Sequence, residues 1–386
     1  MVTAQPLKII DVDTHISEPA DLWTSRVSTK KWGDKVLHVK KNEERGNLAW
    51  FIGDEMIAAA PAAAMAGWKE PPPNNPPTYE DAHQGAFNPI ERLRLMDEEG
   101  IYAHVLYPNV AGFGSGRFLK LKDPELMLES ARAYNDFAIE WSAPGKGRLV
   151  PLCVLPFWDV EASVKEMHRA RKLGHKGVIF TSEPDDFDLP MLADPHWNPI
   201  WAAAQDLQLP INFHIGSGDL SSEHKQFKEN GKHANFAASG VGLFINNAYA
   251  VMEIIFSGIC HRFPDLKFVS VESGIGWIPF LMEAMDWQWV GSGVREEHPE
   301  YKLLPSEYFK RQIYACFWFE TTAPQRLLDV IGHKNVLFET DFPHPTSLYP
   351  AETAKEHIER CMAGQPEEVR RAVFHDNAAA LYHLDF

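Results

Sequence analysis

The chain carries few thiols and no surplus of positive charge. Its four cysteines (Cys153, Cys260, Cys316 and Cys361) are scattered over 386 residues with no CxxC pair, and three stand in apolar surroundings. They read as buried reduced thiols of a cytosolic protein rather than as a paired site. Lys and Arg number 37 against 53 Asp and Glu, a formal net charge of −16. That balance excludes a nucleic-acid footprint or an anionic membrane surface as partner, because both need clustered basic charge. A small anionic substrate stays open, since one local arginine or metal ion outweighs a diffuse field. No run of about 18 apolar residues and no signal-peptide core are visible, so a cytoplasmic location is expected. No GxGxxG follows the first strand; "GFGSG" (112–116) comes after the second and lacks the spacing. No internal repeat or long low-complexity tract is present.

What is there is an alternation of apolar strands and amphipathic helices. Strand patterns fall at 7–15, 102–108, 148–156, 176–182, 209–215, 266–273, 313–320 and 335–341. Helical patterns lie between them, among them "PIERLRLMDEEG" (89–100), which ends on a glycine suited to a C-cap. Eight strands alternating with helices predict a parallel α/β architecture, and eight is the number that closes a (β/α)8 TIM barrel. The rival is an open, doubly wound sheet. One domain over 1–386 is expected, the barrel distorted by an insertion at 24–88. That segment reads as a β-hairpin turning near "NEERGN", followed by "PPPNNPP", and is expected to cover the mouth.

In a barrel, polar residues at the C-terminal strand ends face the active site. The first strand, "IIDVDTH", offers Asp11, Asp13 and His15 in alternation; the fifth offers His214, the sixth Glu272, and the eighth Asp341 and His344. Each alone has an ordinary explanation: a hydrogen-bonded structural histidine, or an aspartate capping the next helix. Four strand ends with carboxylate or imidazole on one face point instead to a divalent metal, which also relieves the repulsion within "DVDTH". His175 precedes its strand and is expected at the opposite end.

The ordered motifs "IDVDTHISEP", "GHKGVIF", "INFHIGSG", "VESGIGWIPF", "LFETDFPHP" and "HDNAAALYHL" resemble the amidohydrolase superfamily. The resemblance is to amidohydrolase family 2, the branch holding aminocarboxymuconate semialdehyde decarboxylase and aromatic acid decarboxylases. It covers nearly the whole chain, least so 24–88. It implies metal ligands at Asp13, His15, His214 and Asp341, with Asp11 in a supporting layer, and a Zn, Mn or Fe ion. Asp13 stands where many relatives have His, which favours harder cations. Glu272 stands where the decarboxylases have a catalytic His; general base, acceptor for a ligand and second-metal ligand are its open roles. His344 is a candidate second ligand, proton shuttle or turn cap.

The resemblance implies hydrolysis through a metal-activated water with Asp341 as base. The alternatives are non-oxidative decarboxylation, a dinuclear oxygenase, and a non-catalytic partner subunit. A small carboxylated or aromatic substrate is expected, with Trp23, Trp68, Phe113, Trp277 and Trp287 as aromatic candidates and Arg26 and Arg117 as carboxylate holders. A homodimer is expected, with 283–294 as the candidate interface.

Overall fold

The computed structural model describes residues 7–218 and 231–385. Strands β1 (Ile9–His15), β5 (Ile101–Tyr107) and β6 (Leu149–Pro151) form one parallel sheet in that order. Strands β7 (Cys153–Val154), β8 (Val178–Ile179), β9 (Ile211–His214), β10 (Phe268–Val271), β11 (Ile313–Phe317) and β12 (Val336–Phe338) form a second, parallel throughout. All eight expected strands are present, shorter than the apolar runs that announced them. The third is cut at Leu152 into β6 and β7, which is where the two sheets divide.

Among the described residues no continuous ladder joins the two parallel sheets into a closed barrel. Between the last strand and the first, the contact is the parallel bridge Thr14↔Phe342. Two backbone hydrogen bonds flank it, His15 N to Phe342 O (2.7 Å) and Asp341 N to Asp13 O (3.0 Å). These bonds bring the ends of β1 and of the β12 segment side by side, although 326 residues separate Asp341 from His15. Every residue of β1 is buried, so the period-2 alternation separates two buried layers rather than a wet and a dry face.

The helices form where caps and breakers allow. Helix α1 (Pro89–Glu99) starts under Asn88, whose side chain accepts from the Ile90 and Glu91 amides, and stops at Gly100 in the left-handed region (φ 75°). Helix α2 (Pro124–Ser142) is capped by Asp123 in the same way, and α3 (Val160–Leu173) by Asp159. His175, just before β8, lies fully buried with Nε2 3.1 Å from Asn135 O of α2, as a donor to that carbonyl.

Helix α4 (Lys232–Phe256) has no uninterrupted apolar run, as expected, although its length and average composition are those of a helix that could cross a membrane. Polar residues break the run but not the average. Its buried Asn247 donates to Phe213 O (2.9 Å) and Val271 O (3.1 Å), fastening the helix over β9 and β10.

Residues 24–88 hold a separate antiparallel sheet, β2 (His38–Asn42), β3 (Asn47–Ile52) and β4 (Glu55–Ala59). The hairpin turns between Asn42 and Asn47, at the expected place. The segment is tied down by Ser17 Oγ donating to Ala62 O (2.9 Å) and Ala66 N to Pro343 O (2.9 Å).

Candidate metal centre

The fifth strand ends in His214 and the first in His15, and their Nε2 atoms lie 3.1 Å apart in a fully buried position. Each ring is oriented by its other nitrogen. His15 Nδ1 faces Pro108 O at 3.0 Å and His214 Nδ1 faces Ile215 O at 2.7 Å. A carbonyl can only accept, so both Nδ1 atoms are donors and both Nε2 atoms turn to the centre. Burial, followed by the nearby His344, lowers the His15 pKa to about 4, so this ring is neutral at pH 7 and offers a lone pair. For His214, burial works against the charged ring, but the Asp13 carboxylate outweighs it and raises the pKa.

Asp13 sits against both imidazoles, Oδ1 3.3 Å from His15 Nε2 and Oδ2 3.5 Å from His214 Nε2. Neither oxygen has a hydrogen-bond partner. Burial alone would raise the pKa of Asp13, yet the two histidines hold it well below the usual carboxylate range. Asp341 Oδ1 lies 3.5 Å from His15 Nε2 and 2.7 Å from His344 Nδ1, and accepts a hydrogen bond from neither. Its Oδ2 accepts from Thr346 Oγ1 at 2.7 Å. Three orphaned carboxylate oxygens thus face two imidazole nitrogens in a site without exposure. Leaving such oxygens unpaired costs several kcal/mol unless a cation sits among them. The donor set of hard oxygens and borderline nitrogens fits Mn²⁺, Fe²⁺ or Zn²⁺.

Two donor groups satisfy one-atom-per-residue geometry: Asp13, His15, His214 and Glu272; and His15, Glu272, Asp341 and His344. They share His15 and Glu272, and the His15 Nε2 has one lone pair and so serves one ion.

Glu272 and Asp341 both hold left-handed backbone, φ 56° and 61°, at the ends of β10 and β12. Non-glycine residues reach that region only when the surroundings over-determine them, at about 1–3 kcal/mol each. Glu272 Oε2 is 3.3 Å from His214 Nε2. Burial, then the Asp341 and Asp13 carboxylates, push its carboxyl well above the ordinary range. Glu272 and His344 keep 7% and 5% exposure while the other four candidates have none. His344 stacks on His15 (centroids 3.7 Å apart, 22° between planes). Its Nε2 donates to Asn109 Oδ1 at 2.7 Å, and its Nδ1 is 2.7 Å from Asp341 Oδ1.

Asp11 lies in the layer beneath, accepting from Thr340 N (3.0 Å) and Thr340 Oγ1 (2.5 Å), with His104 Nε2 3.6 Å away. Several contributors carried no motif. Glu339 is buried, accepts from Glu272 N at 3.2 Å and is pushed well up by burial and Asp13. Its signal was available, since it stands two residues before Asp341. Arg92 braces the end of β1, donating to His15 O (2.6 Å) and Gly85 O (2.6 Å). Glu18 accepts from the amides of Asn109, Val110 and Ala111 and so fixes the loop that carries Asn109.

The aromatic candidates divide. Phe113 covers the imidazoles, its centroid 4.2 Å from His214 and 5.0 Å from His15. Trp23 is wholly in the core, donating to Ser130 O, and Trp287 is 78% exposed on the outer surface. Trp277 donates to Ser273 O, and Trp68 is half-buried in the 24–88 segment. Arg26 is engaged by Glu140, whereas Arg117 has no ion pair among the described residues, the Glu18 carboxylate being the acid that acts on it.

The model of the amidohydrolase family matches residues 10–384. The chain belongs to the amidohydrolase family. A curated relative, 2-amino-3-carboxymuconate-6-semialdehyde decarboxylase of Dictyostelium discoideum, is 22% identical over 273 residues, 69% of this chain and 70% of the relative. Among solved structures, an amidohydrolase from Mycobacterium avium subsp. paratuberculosis K-10 superposes with a TM-score of 0.76 at 23% identity. It covers 98% of this chain and 100% of that one. The 5-carboxyvanillate decarboxylase of Novosphingobium aromaticivorans superposes at 0.68 with 18% identity, covering 99% of this chain and 97% of its own. That enzyme was solved with manganese and 4-hydroxy-3-methoxy-5-nitrobenzoic acid bound. At these identities the solved structures establish a shared fold.

Proposed function

We propose that this amidohydrolase-family chain is a divalent-metal-dependent, non-oxidative decarboxylase of a small aromatic or unsaturated carboxylic acid. The observation that carries this reading is the set of three unpartnered carboxylate oxygens on Asp13 and Asp341 around the paired Nε2 atoms of His15 and His214. Those four residues would hold the ion, with manganese favoured by the carboxylate share of the donors. The eight strands are read as a distorted (β/α)8 barrel, with the centre at its C-terminal face. The decarboxylating relatives move the weight from hydrolysis to loss of CO2. One geometric point supports the same shift: Asp341, the expected base for water, has one oxygen taken by Thr346 and the other turned to the imidazoles.

A cation bound there supplies the positive charge that holds a substrate carboxylate and an adjacent oxygen. The remaining work falls to the chain. Decarboxylation breaks the bond between carbon and carboxylate and places a proton on that carbon, without an oxidant. Glu272 is the proton donor of this reading: it lies at the centre, and burial and the neighbouring Asp341 and Asp13 carboxylates raise its affinity for a proton. His344, fixed by Asn109 and stacked on His15, orients the same edge of the site. The 24–88 segment acts as a cover, since Ile57 of β4 meets Phe113 across the cavity above the centre. A dimer through the outer face of helix α5 (Ile278–Gly291) completes the reading.

Metal analysis and one variant test it. The purified protein is expected to hold about one equivalent of divalent metal, lost to chelator and restored by Mn²⁺. Glu272→Gln is expected to lower kcat for CO2 release at least about a hundredfold while manganese affinity stays within threefold. A protein that binds no divalent metal and is unchanged by added Mn²⁺ sinks the reading. Loss of manganese together with activity in Glu272→Gln makes Glu272 a ligand instead.

A further inference from the structure

We infer that a cavity at the other end of the strands from the metal centre is a second ligand site, built for a small zwitterion with an apolar or aromatic body, an α-amino acid by class.

Strands β9, β10 and β11 run parallel. The first two lead into His214 and Glu272 at the centre, so the first residues of all three gather at the opposite end. There lies a cavity of about 520 Å3, the size of a small-molecule site. Leu209 and Pro210 reach it from the start of β9, Leu266 and Lys267 from the start of β10, and Tyr314 from β11. Pro210 stands four residues before His214, about 13 Å along an extended strand. A ligand held here is out of reach of the ion and is not the substrate.

The C-terminal segment closes one side through Ala380, Leu381 and His383. That wall is fixed without a ligand. Tyr382 turns inward, fully buried, and its hydroxyl donates to Asn212 Oδ1 at 2.7 Å, the oxygen that also accepts from the Tyr107 hydroxyl at 3.1 Å. His383 O accepts from Lys176 Nζ at 2.9 Å. A wall anchored at both points leaves little to be ordered on binding. Gln208 and His383, each just past the end of a helix, hold left-handed backbone (φ 53° and 52°) where glycine is the usual residue. Both line the cavity, so polar side chains stand at its rim in spite of the strain.

The charges at this cavity have both signs and are not paired off. Lys267 is half-buried, donates from Nζ to Arg311 O at 2.9 Å and makes no ion pair among the described residues. Its ammonium therefore keeps two N–H groups for another acceptor. Burial lowers its pKa, and Asp265 opposes that from beyond ion-pair distance. Asp206 and Asp265 are exposed at the rim and form no ion pair among the described residues. A simple anion would meet Lys267 but also two carboxylates, and a simple cation would meet the reverse. A zwitterion answers both signs, with its carboxylate on Lys267, its ammonium toward the aspartates and its apolar body against Tyr314, Leu209 and Leu266.

Calorimetry with L-phenylalanine, 3-phenylpropanoate and phenethylamine tests the site, the last two each lacking one charge of the first. Wild type is expected to bind L-phenylalanine about tenfold tighter than either analogue. Lys267→Gln is expected to weaken L-phenylalanine about tenfold and to leave phenethylamine unchanged. Ala380→Trp, at an exposed position of the wall, is expected to fill the cavity and abolish binding of all three with the Tm unchanged. Affinity should be the same before and after treatment with a metal chelator, and hydrogen exchange should slow at 204–210 and 377–384 when the ligand is bound. No binding of L-phenylalanine at millimolar concentration overturns the site. So does an affinity that survives both substitutions, an affinity lost on chelation, which places the ligand at the metal, or exchange unchanged in both segments. An analogue that binds as tightly as L-phenylalanine overturns the zwitterion class.

Discussion

At the residue scale, the centre shows how one aspartate decides the character of a site. Asp13 presents both oxygens to two imidazoles and receives no hydrogen bond to either. Asp13→Asn keeps the shape but replaces a negative oxygen with an NH2 group directed at His15 or His214. Manganese affinity is expected to fall at least about a hundredfold, in line with loss of a charged ligand. Competition with a metallochromic chelator measures it, and an affinity within threefold of wild type would remove Asp13 from the ligand set. Asp13, His15, His214, Glu272, Asp341 and His344 were all legible in the sequence, because strand ends expose short polar residues at fixed alternation. Glu339, Asn109, Arg92 and Glu18 were not, since a single buried polar residue in an apolar run has no pattern until its partner, distant in sequence, is known.

At the element scale, the capped helices and parallel strands were readable from Asn88, Asp123, Asp159 and Gly100, where local chemistry dictates local geometry. The short reach of the strands was not, for a buried run looks the same whether it is laddered or turning into a loop. His175, at the approach to β8, gives this scale its prediction. Burial lowers its pKa from 6.5 to about 4, while its Nε2–H is held by Asn135 O. The unfolded chain takes up this proton below pH 6.5, and the folded chain does not until about pH 4. Stability from the neutral ring is therefore complete above pH 6.5 and is lost as pH falls from 6.5 toward 4, on the order of 3 kcal/mol in total. His175→Gln keeps a donor for Asn135 and cannot titrate. Urea melts of metal-free protein at pH 7 and pH 5 should show a smaller decrease for the variant; equal decreases would exclude His175 as a source of acid lability.

At the scale of the whole molecule, the outer surface is unevenly wetted. Phe280, Trp287 and Val290 of α5 are exposed by 67–78%, and Tyr249 and Met252 of α4 line a groove with Leu281 and Met285 of α5. Exposed apolar surface of this kind favours association through it. The occupant proposed is a second copy. Sedimentation is expected to show a dimer at micromolar concentration, and Trp287→Glu to shift it to monomer while the Tm of the isolated protomer changes little. A monomeric wild type would remove the interface.

The amino-acid sequence by itself determined the alternation of strands and helices, the acidic balance, and which side chains stand at strand ends. These follow from spacing and composition, which act over a few residues. Only the tertiary structure decided that His15 and His214 meet at 3.1 Å and that Asp13 lies against both of them. Those facts depend on which strand lies beside which and where the chain turns left-handed. The packing of the two parallel sheets sets them over tens of ångströms, and no local rule carries that far.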